Sequence, residues 1–252
     1  MLNEERRQKI LTIISQDKKI RVKQISRKFQ ISEVTIRKDL EVLEKRGFLT
    51  RVHGGAIQNN RSVPDLALTE KEQINPDLKK RIGKKAADMI EDGNVIILDS
   101  GSTTLQIAHQ IKFKKNITVI TNAVNIAAEL AASDVQIILT GGTVREMSFS
   151  LVGPFAEATL TNITADKLFL GVDGIHFKYG LTTPNVLEAR VNQLMISIAA
   201  QVVVVADSSK FGRRSLGFIS PVNRVHTVIT DNLLKPNDTK QLKEMGVNLV
   251  LA

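Results

Sequence analysis

Five short runs of small polar residues could together hold an anionic or hydroxylated molecule: Asp99-Ser100-Gly101-Ser102-Thr103-Thr104, Thr121-Asn122, Thr140-Gly141-Gly142-Thr143, Asp173-Gly174 and Asp207-Ser208-Ser209-Lys210. A glycine-containing loop that opens a helix leaves N–H groups free at the positive end of the helix dipole, and hydroxyls add donors. Ser100, Gly101, Ser102, Thr103 and Thr104 therefore suit a phosphate, with Gly141 and Gly142 allowing close backbone approach and Lys210 adding a cation. Ser and Thr are equally ordinary helix caps, so the run on its own also fits a structural role. The carboxylates Asp99, Asp173, Glu188 and Asp207 accept well from sugar hydroxyls. Paired carboxylates also perform general acid–base chemistry, and each is suited to capping a helix.

Residues 31–56 carry a different chemistry. Ser32 suits an N-cap, Ile36, Leu40 and Leu43 recur at i, i+4 and i+7, and Gly47 follows Lys45 and Arg46 as a stop, which predicts one short amphipathic helix. At about 100° per residue, Val34 and Lys38 point away from the apolar stripe, and Thr35 and Arg37 flank it. Methyl and cationic side chains at a helix N-terminus suit a DNA major groove, where methyls meet thymine and cations meet guanine or phosphate. An ordinary solvated face has the same look, so the neighbouring elements decide.

Those neighbours fit a winged helix-turn-helix over residues 1–57. Glu4 to Gln16 reads as a helix, Val22, Ile25 and Phe29 mark a second, and Gln30-Ile31-Ser32 is a three-residue turn into the third. Phe48 to Val52 is rich in strand formers and ends at the reversal His53-Gly54-Gly55, a wing that would carry Arg51 and His53 to the DNA backbone.

Residues 58–76 lose periodicity and read as a connector. From residue 77 to 252, after a helix starting at Asp77, apolar runs alternate with helical patterns: Val95 to Leu98, Ile117 to Thr121, Val135 to Thr140, Leu168 to Val172, Val202 to Ala206, Val225 to Ile229 and Leu249 to Leu251. This predicts an α/β, Rossmann-like, mainly parallel sheet with covered faces. Ligands bind beyond the C-terminal ends of such strands, where the five polar runs fall.

Net charge is +9, and it is uneven: residues 1–60 hold 14 Lys+Arg against 7 Asp+Glu, the other 192 residues 21 against 19. A polyanion-binding module joined to a near-neutral body leaves this footprint. An anionic lipid surface is the alternative, but no helix joins a strong apolar face to an aromatic anchor. There is no cysteine, which excludes disulfides, thiolate metal sites and a Cys nucleophile. His53, His109, His176 and His226 lack partners at ligand spacing, and no GxGxxG follows a strand, so neither metal nor nucleotide cofactor is expected. A charged N-terminus and the lack of a long apolar run make the cytoplasm the expected location and exclude a membrane partner.

The run SEVTIRKDLEVLEKRGFLTRVHGGA resembles the signature of the DeoR-type family of bacterial transcriptional regulators. LDSGSTT, TN, LTGG, FLGVDGI, GLTTPNVLEA and VVVADSSKFGR are similar to the same family's sensor domain, so the resemblance spans nearly the whole chain. It implies a winged helix-turn-helix followed by a sensor related in fold to ribose-5-phosphate isomerase. It also implies a repressor of sugar or amino-sugar catabolism, nearest the N-acetylgalactosamine-pathway subgroup, with double-stranded operator DNA and a phosphorylated sugar as partners and a homodimer or homotetramer as its assembly. On that reading Val34, Thr35, Arg37 and Lys38 meet bases and adjacent phosphates, and Lys23, Ser32, Arg51 and His53 hold the DNA backbone. The family commonly has two arginines where this chain has Arg37 and Lys38, and lysine lacks the bidentate fork. Thr121 and Asn122 join Asp99, the Ser100–Thr104 loop, Gly141, Gly142, Asp173, Glu188 and Lys210 as effector contacts.

A phosphosugar isomerase carrying a DNA-binding domain is the alternative. The isomerases keep a further acidic residue after the aspartate matching Asp173, where this chain has Gly174-Ile175-His176, and a lysine with a glycine-rich loop, where it has Lys178-Tyr179-Gly180. Glu188 remains without those partners, which favours binding over turnover. A nucleoid protein without sequence preference would leave the polar strand ends unused.

Overall fold

The computed structural model describes residues 3–45, 48–58 and 65–252, and the chain divides into two units, Met1–Pro64 and Asp65–Ala252. The expected stop at Gly47 lies outside the described residues.

The first unit runs α1 (Asn3–Asp17), β1 (Lys19–Arg21), α2 (Val22–Phe29), α3 (Glu33–Lys45), β2 (Leu49–Val52) and β3 (Gly55–Gln58). Ile10 and Ile14 of α1, Val22 and Ile25 of α2, and Ile36, Leu40 and Leu43 of α3 meet in one core with Leu49 and Ala56. The turn between α2 and α3 places Gln30 in the left-handed region at φ 56°. Ser32 Oγ then accepts the Thr35 N–H at 3.2 Å, which caps α3 as its sequence predicts.

The wing is larger than expected, a three-stranded sheet in the order β1-β3-β2. Gly54 turns the hairpin with φ 75°. Gly55 is needed for a different reason: a Cβ there would sit 2.0 Å from the Ile20 carbonyl oxygen, so any side chain would part β1 from β3.

One feature of this core is ionic. Asp39 of α3, with its side chain 2% exposed, receives Arg6 Nε at 2.5 Å and a second Arg6 nitrogen at 3.1 Å, while Arg7 Nε lies 3.0 Å away. These bonds tie α1 to α3.

The second unit continues with α4 (Leu68–Glu72), α5 (Pro76–Ala87), β4 (Val95–Leu98), α6 (Ser102–Ile111), β5 (Thr118–Thr121), α7 (Val124–Leu130), β6 (Gln136–Leu139), β7 (Thr143–Arg145), β8 (Ser150–Val152) and α8 (Pro154–Leu160). After these come β9 (Ala165–Leu170), β10 (Gly174–His176), β11 (Gly180–Thr183), α9 (Val186–Ile198), β12 (Ala199–Val205), β13 (Gly217–Ser220), β14 (Thr227–Thr230), α10 (Pro236–Glu244) and β15 (Asn248–Leu251). The seven predicted apolar runs are the seven strands of one parallel sheet, ordered β15-β14-β12-β9-β4-β5-β6.

Alternate residues of those strands feed opposite layers. Ile97, Leu168 and Val204 pack with Leu160 of α8, Met195 of α9 and Leu242 of α10, while Ile96, Phe169 and Val203 pack with Ile82 of α5, Ile107 of α6 and Ile126 of α7. The order also sets the position of the site. From β4 the chain moves outward through β5 and β6, then returns to place β9 on the other side of β4 and moves outward again through β12 and β14. The gap above the C-terminal ends of β4 and β9 is the topological switch point of the sheet.

The expected connector over 58–76 is corrected at its C-terminal end. Residues 65–76 belong to the second unit, with Leu66 and Leu68 buried and α4 formed, while residues 59–64 lie outside the described residues. The helix expected to be capped by Asp77 has Asn75 at its N-cap position, with no side-chain capping bond, Pro76 opening it and Asp77 in its first turn.

Candidate functional site

A small cleft, partly open to solvent, sits at the switch point. The β4–α6 loop supplies Ser100, Gly101, Ser102 and Thr103, the end of β9 supplies Asp173, and α9 supplies Glu188 and Asn192. Lys71 of α4, Lys79 of α5 and Lys210 after β12 line it as well. The N-cap of α6 is Gly101, which has no side chain to accept from the first-turn N–H groups, and Thr104 Oγ1 accepts only the N–H of Gly101 itself. An uncapped helix N-terminus beside lysines is a setting for an anion.

The carboxylates divide by their partners. Burial works against the charge of Asp173, but Lys71 Nζ at 3.0 Å and Lys210 Nζ at 3.7 Å hold its pKa below the usual carboxylate range. Asp207 is likewise buried, and it is held low by Lys210 and by Ser209. Glu188 Oε1 accepts from Arg145 at 2.8 Å, Ser148 at 2.5 Å and Ser150 at 2.8 Å, and Thr183 lies 3.4 Å from Oε2. Burial would lower the pKa of Lys71, yet Asp173 holds it above the ordinary value. Lys79 moves the other way, down to about 8, from burial and then from the nearby Lys210 charge.

Asp99 is the exception among the acids. Its Oδ1 has no hydrogen-bond partner, and Asn192 reaches Oδ2 only at 3.5 Å. Burial lifts its pKa to about 7. Between pH 4 and 7 the folded protein therefore keeps a proton that the unfolded chain has released. The stabilisation this gives is full below pH 4 and is lost as pH rises through 7. Asp99→Asn is expected to remove a slope of about 1 kcal/mol per pH unit over that window, read from urea titrations of the second unit at pH 5 and pH 7. Equal pH dependence in variant and wild type would refute the assignment.

In the first unit, the outer surface of α3 shows Val34, 60% exposed, beside exposed Ser32, Arg37 and Lys38 and half-buried Thr35. Lys23, Arg51 and His53 are exposed too. Arg37 pairs with Glu33 at 2.8 Å and Arg51 with Glu44 at 2.8 Å. Exposed pairs of this kind are worth little and exchange readily for a phosphate.

Residues 6–62 match the family described as the DeoR-like helix-turn-helix domain, and residues 74–232 match the DeoR C terminal sensor domain. The chain belongs to the DeoR family. It is 36% identical to the HTH-type transcriptional regulator GlpR of Haloferax volcanii, over 99% of this chain and 98% of that one. It is 37% identical to an Escherichia coli O157:H7 protein provisionally named as the transcriptional repressor of the aga operon, over 98% and 93% of the two chains. The lactose phosphotransferase system repressor of Lactococcus lactis is 32% identical over 96% and 97%. Among solved structures, ribose 5-phosphate isomerase A of Methanocaldococcus jannaschii aligns with 54% of this chain and 55% of its own, at 20% identity and TM-score 0.41. The β subunit of eIF2B from Chaetomium thermophilum aligns with 61% and 48%, at 14% identity and TM-score 0.42. Nothing about activity follows from likeness at that level.

This DeoR-family regulator gathers only part of the expected effector set into the cleft. Asp99, Ser100, Gly101, Ser102, Thr103, Asp173, Glu188 and Lys210 line it. Thr104, Thr121, Asn122, Gly141 and Gly142 do not, and each has a structural task. Thr104 Oγ1 donates to backbone carbonyls and accepts the Gly101 N–H at 2.8 Å. Thr121 Oγ1 donates to the Leu98 carbonyl at 2.7 Å, and Asn122 Nδ2 to that of Leu151 at 3.3 Å. Gly141 and Gly142 turn the chain at positive φ, and a Cβ on Gly142 would meet the Val152 carbonyl oxygen at 2.7 Å.

Lys71, Lys79, Ser148, Thr183 and Asn192 are lining residues that the sequence reading did not single out. Two of them carried a signal. Lys79 lies on the buried stripe of α5 with Ile82 and Ala86, and Asn192 lies on the buried face of α9 beside Val191 and Met195. A polar residue on an apolar stripe marks either a buried bond or a site. Among the described residues, no helix is long and apolar enough to cross a membrane.

Proposed function

We propose that this DeoR-family protein is a cytoplasmic repressor of sugar or amino-sugar catabolism genes whose operator affinity is set by a phosphorylated sugar bound in the cleft. The observation that carries this reading is the division of the cleft walls: the uncapped start of α6 with Lys71, Lys79 and Lys210 suits a phosphate, and Asp173 and Glu188 suit hydroxyls. The names of the aga-operon and lactose-system relatives support sugar metabolism as the setting.

Glu188 is oriented for holding a hydroxyl: Arg145, Ser148 and Ser150 fix Oε1, which leaves Oε2, with Thr183 at 3.4 Å, to accept from a ligand. Val34, Thr35, Arg37 and Lys38 face the bases and adjacent phosphates, with Lys23, Ser32, Arg51 and His53 on the DNA backbone. Two-fold symmetry of an operator calls for a homodimer or homotetramer.

A thermal-shift panel of sugar phosphates tests the effector site. At least one is expected to raise the melting temperature by several degrees, with the gain lost in Ser102→Ala plus Thr103→Ala. No stabilisation by any member of the panel, or an undiminished response in that variant, would refute the site.

A further inference from the structure

Residues Asp65–Asn75 open the second unit, and their charged anchors converge on the cleft. Lys71 Nζ contacts Asp173 at 3.0 Å, and Asn75 Nδ2 donates to Asp207 Oδ1 at 3.2 Å. Asp65 meets Arg145 at 2.6 Å, and the same guanidinium holds Glu188 at 2.8 Å. The Leu68 N–H donates to the Met147 carbonyl at 2.6 Å, Lys79 Nζ donates to the Lys71 carbonyl, and buried Leu66 and Leu68 seat the segment. Two of the three carboxylates that line the cleft, Asp173 and Glu188, thus hold this segment directly or through one arginine, and Asp207, next in the chain to the lining residue Ala206, holds it as well.

A phosphate and a set of hydroxyls would compete for the same groups. A dianion offers Lys71 a stronger partner than Asp173, and hydroxyls offer Asp173 and Asp207 donors that replace Lys71 and Asn75. In the sequence, Asp65 directly follows the first unit, so this segment is the covalent neighbour of the DNA-binding module.

We propose that Asp65–Asn75 is a ligand-responsive strap: an anionic, hydroxylated ligand takes over its anchors on Asp173 and Asp207, and the loosened strap transmits occupancy of the cleft to the DNA-binding unit. The proposal rests on the effector reading above for its ligand, but the strap itself is open to test without one. A ligand moves an equilibrium only through such differential contacts, and a coupling of the usual size would change DNA affinity roughly 5- to 150-fold.

The experiment is hydrogen exchange on the full chain, with and without inorganic phosphate at tens of millimolar, paired with mobility shifts on a DNA fragment that the wild type binds. Phosphate is expected to slow exchange at the first turn of α6 and to speed it severalfold in residues 65–75. Lys71→Met without phosphate is expected to show the fast strap already, with DNA affinity shifted in the direction that phosphate shifts the wild type. Asn75→Ala, which leaves Lys71 in place, should loosen the same peptide and guards against misfolding of the first variant.

Protection of α6 by phosphate, with strap exchange unchanged by phosphate and by both variants, would overturn the strap and leave the effector site standing. A strap loosened by both variants with shifted DNA affinity, but no effect of phosphate anywhere, would uphold the coupling and count against the phosphate reading. A strap that loosens in the variants while DNA affinity stays at the wild-type value would overturn the coupling.

Discussion

Asp39→Ala is expected to destabilise the DNA-binding unit by about 3–5 kcal/mol, because it leaves Arg6 buried without its counter-charge. A unit of this size holds only a few kcal/mol in all, so the loss is enough to unfold it. Hydrogen-exchange protection in α1 and α3 should collapse while the sheet of the second unit keeps its own, and DNA binding should disappear with it. Replacing the pair by apolar residues of similar size, Arg6→Met with Asp39→Leu, should recover most of the protection, since burying two charges costs nearly what their attraction returns. Wild-type protection in Asp39→Ala would show that the ion pair does not hold α1 to α3.

Arg37→Ala plus Lys38→Ala is expected to leave the fold intact and to weaken DNA binding roughly 10- to 1000-fold, since base and phosphate contacts are each worth about 1–3 kcal/mol or less. Both side chains are exposed, and the partner of Arg37, Glu33, lies on the same helix, so little stability is at stake. The salt dependence should become shallower by about one to two counterions. Mobility shifts at two salt concentrations check both numbers. Unchanged affinity with an unchanged salt slope would remove α3 from the interface.

The strands of the main sheet were readable because a parallel strand buried on both faces appears as an unbroken apolar run, as in Val202 to Ala206. The helices of the first unit were readable from the spacing of Ile36, Leu40 and Leu43 and of Val22, Ile25 and Phe29. The elements that escaped are those too short to show a period. β1 has a single buried residue, Ile20, between two exposed cations, and β10 and β11 are three and four residues long. The strap escaped for the same reason: α4 has five residues, and Leu66 and Leu68 are buried by the body they lie on, not by a stripe of their own.

The candidate site shows the same division. Sequence alone determined which residue types stand at the ends of which strands, since glycines, hydroxyls and carboxylates after apolar runs are local facts. It could not separate Ser102 and Thr103 from Thr121 and Asn122, which share their chemistry and their place after a strand. Strand order separates them, because β4 and β9 flank the switch point while β5 and β6 lie outside it. The buried Asp39 pair and the Lys71 contact with Asp173, 102 residues apart in the chain, were decided only in three dimensions. Local pattern records what one turn or strand needs from its immediate neighbours, whereas the partner of a buried charge is set by how distant segments pack, and no periodicity encodes that.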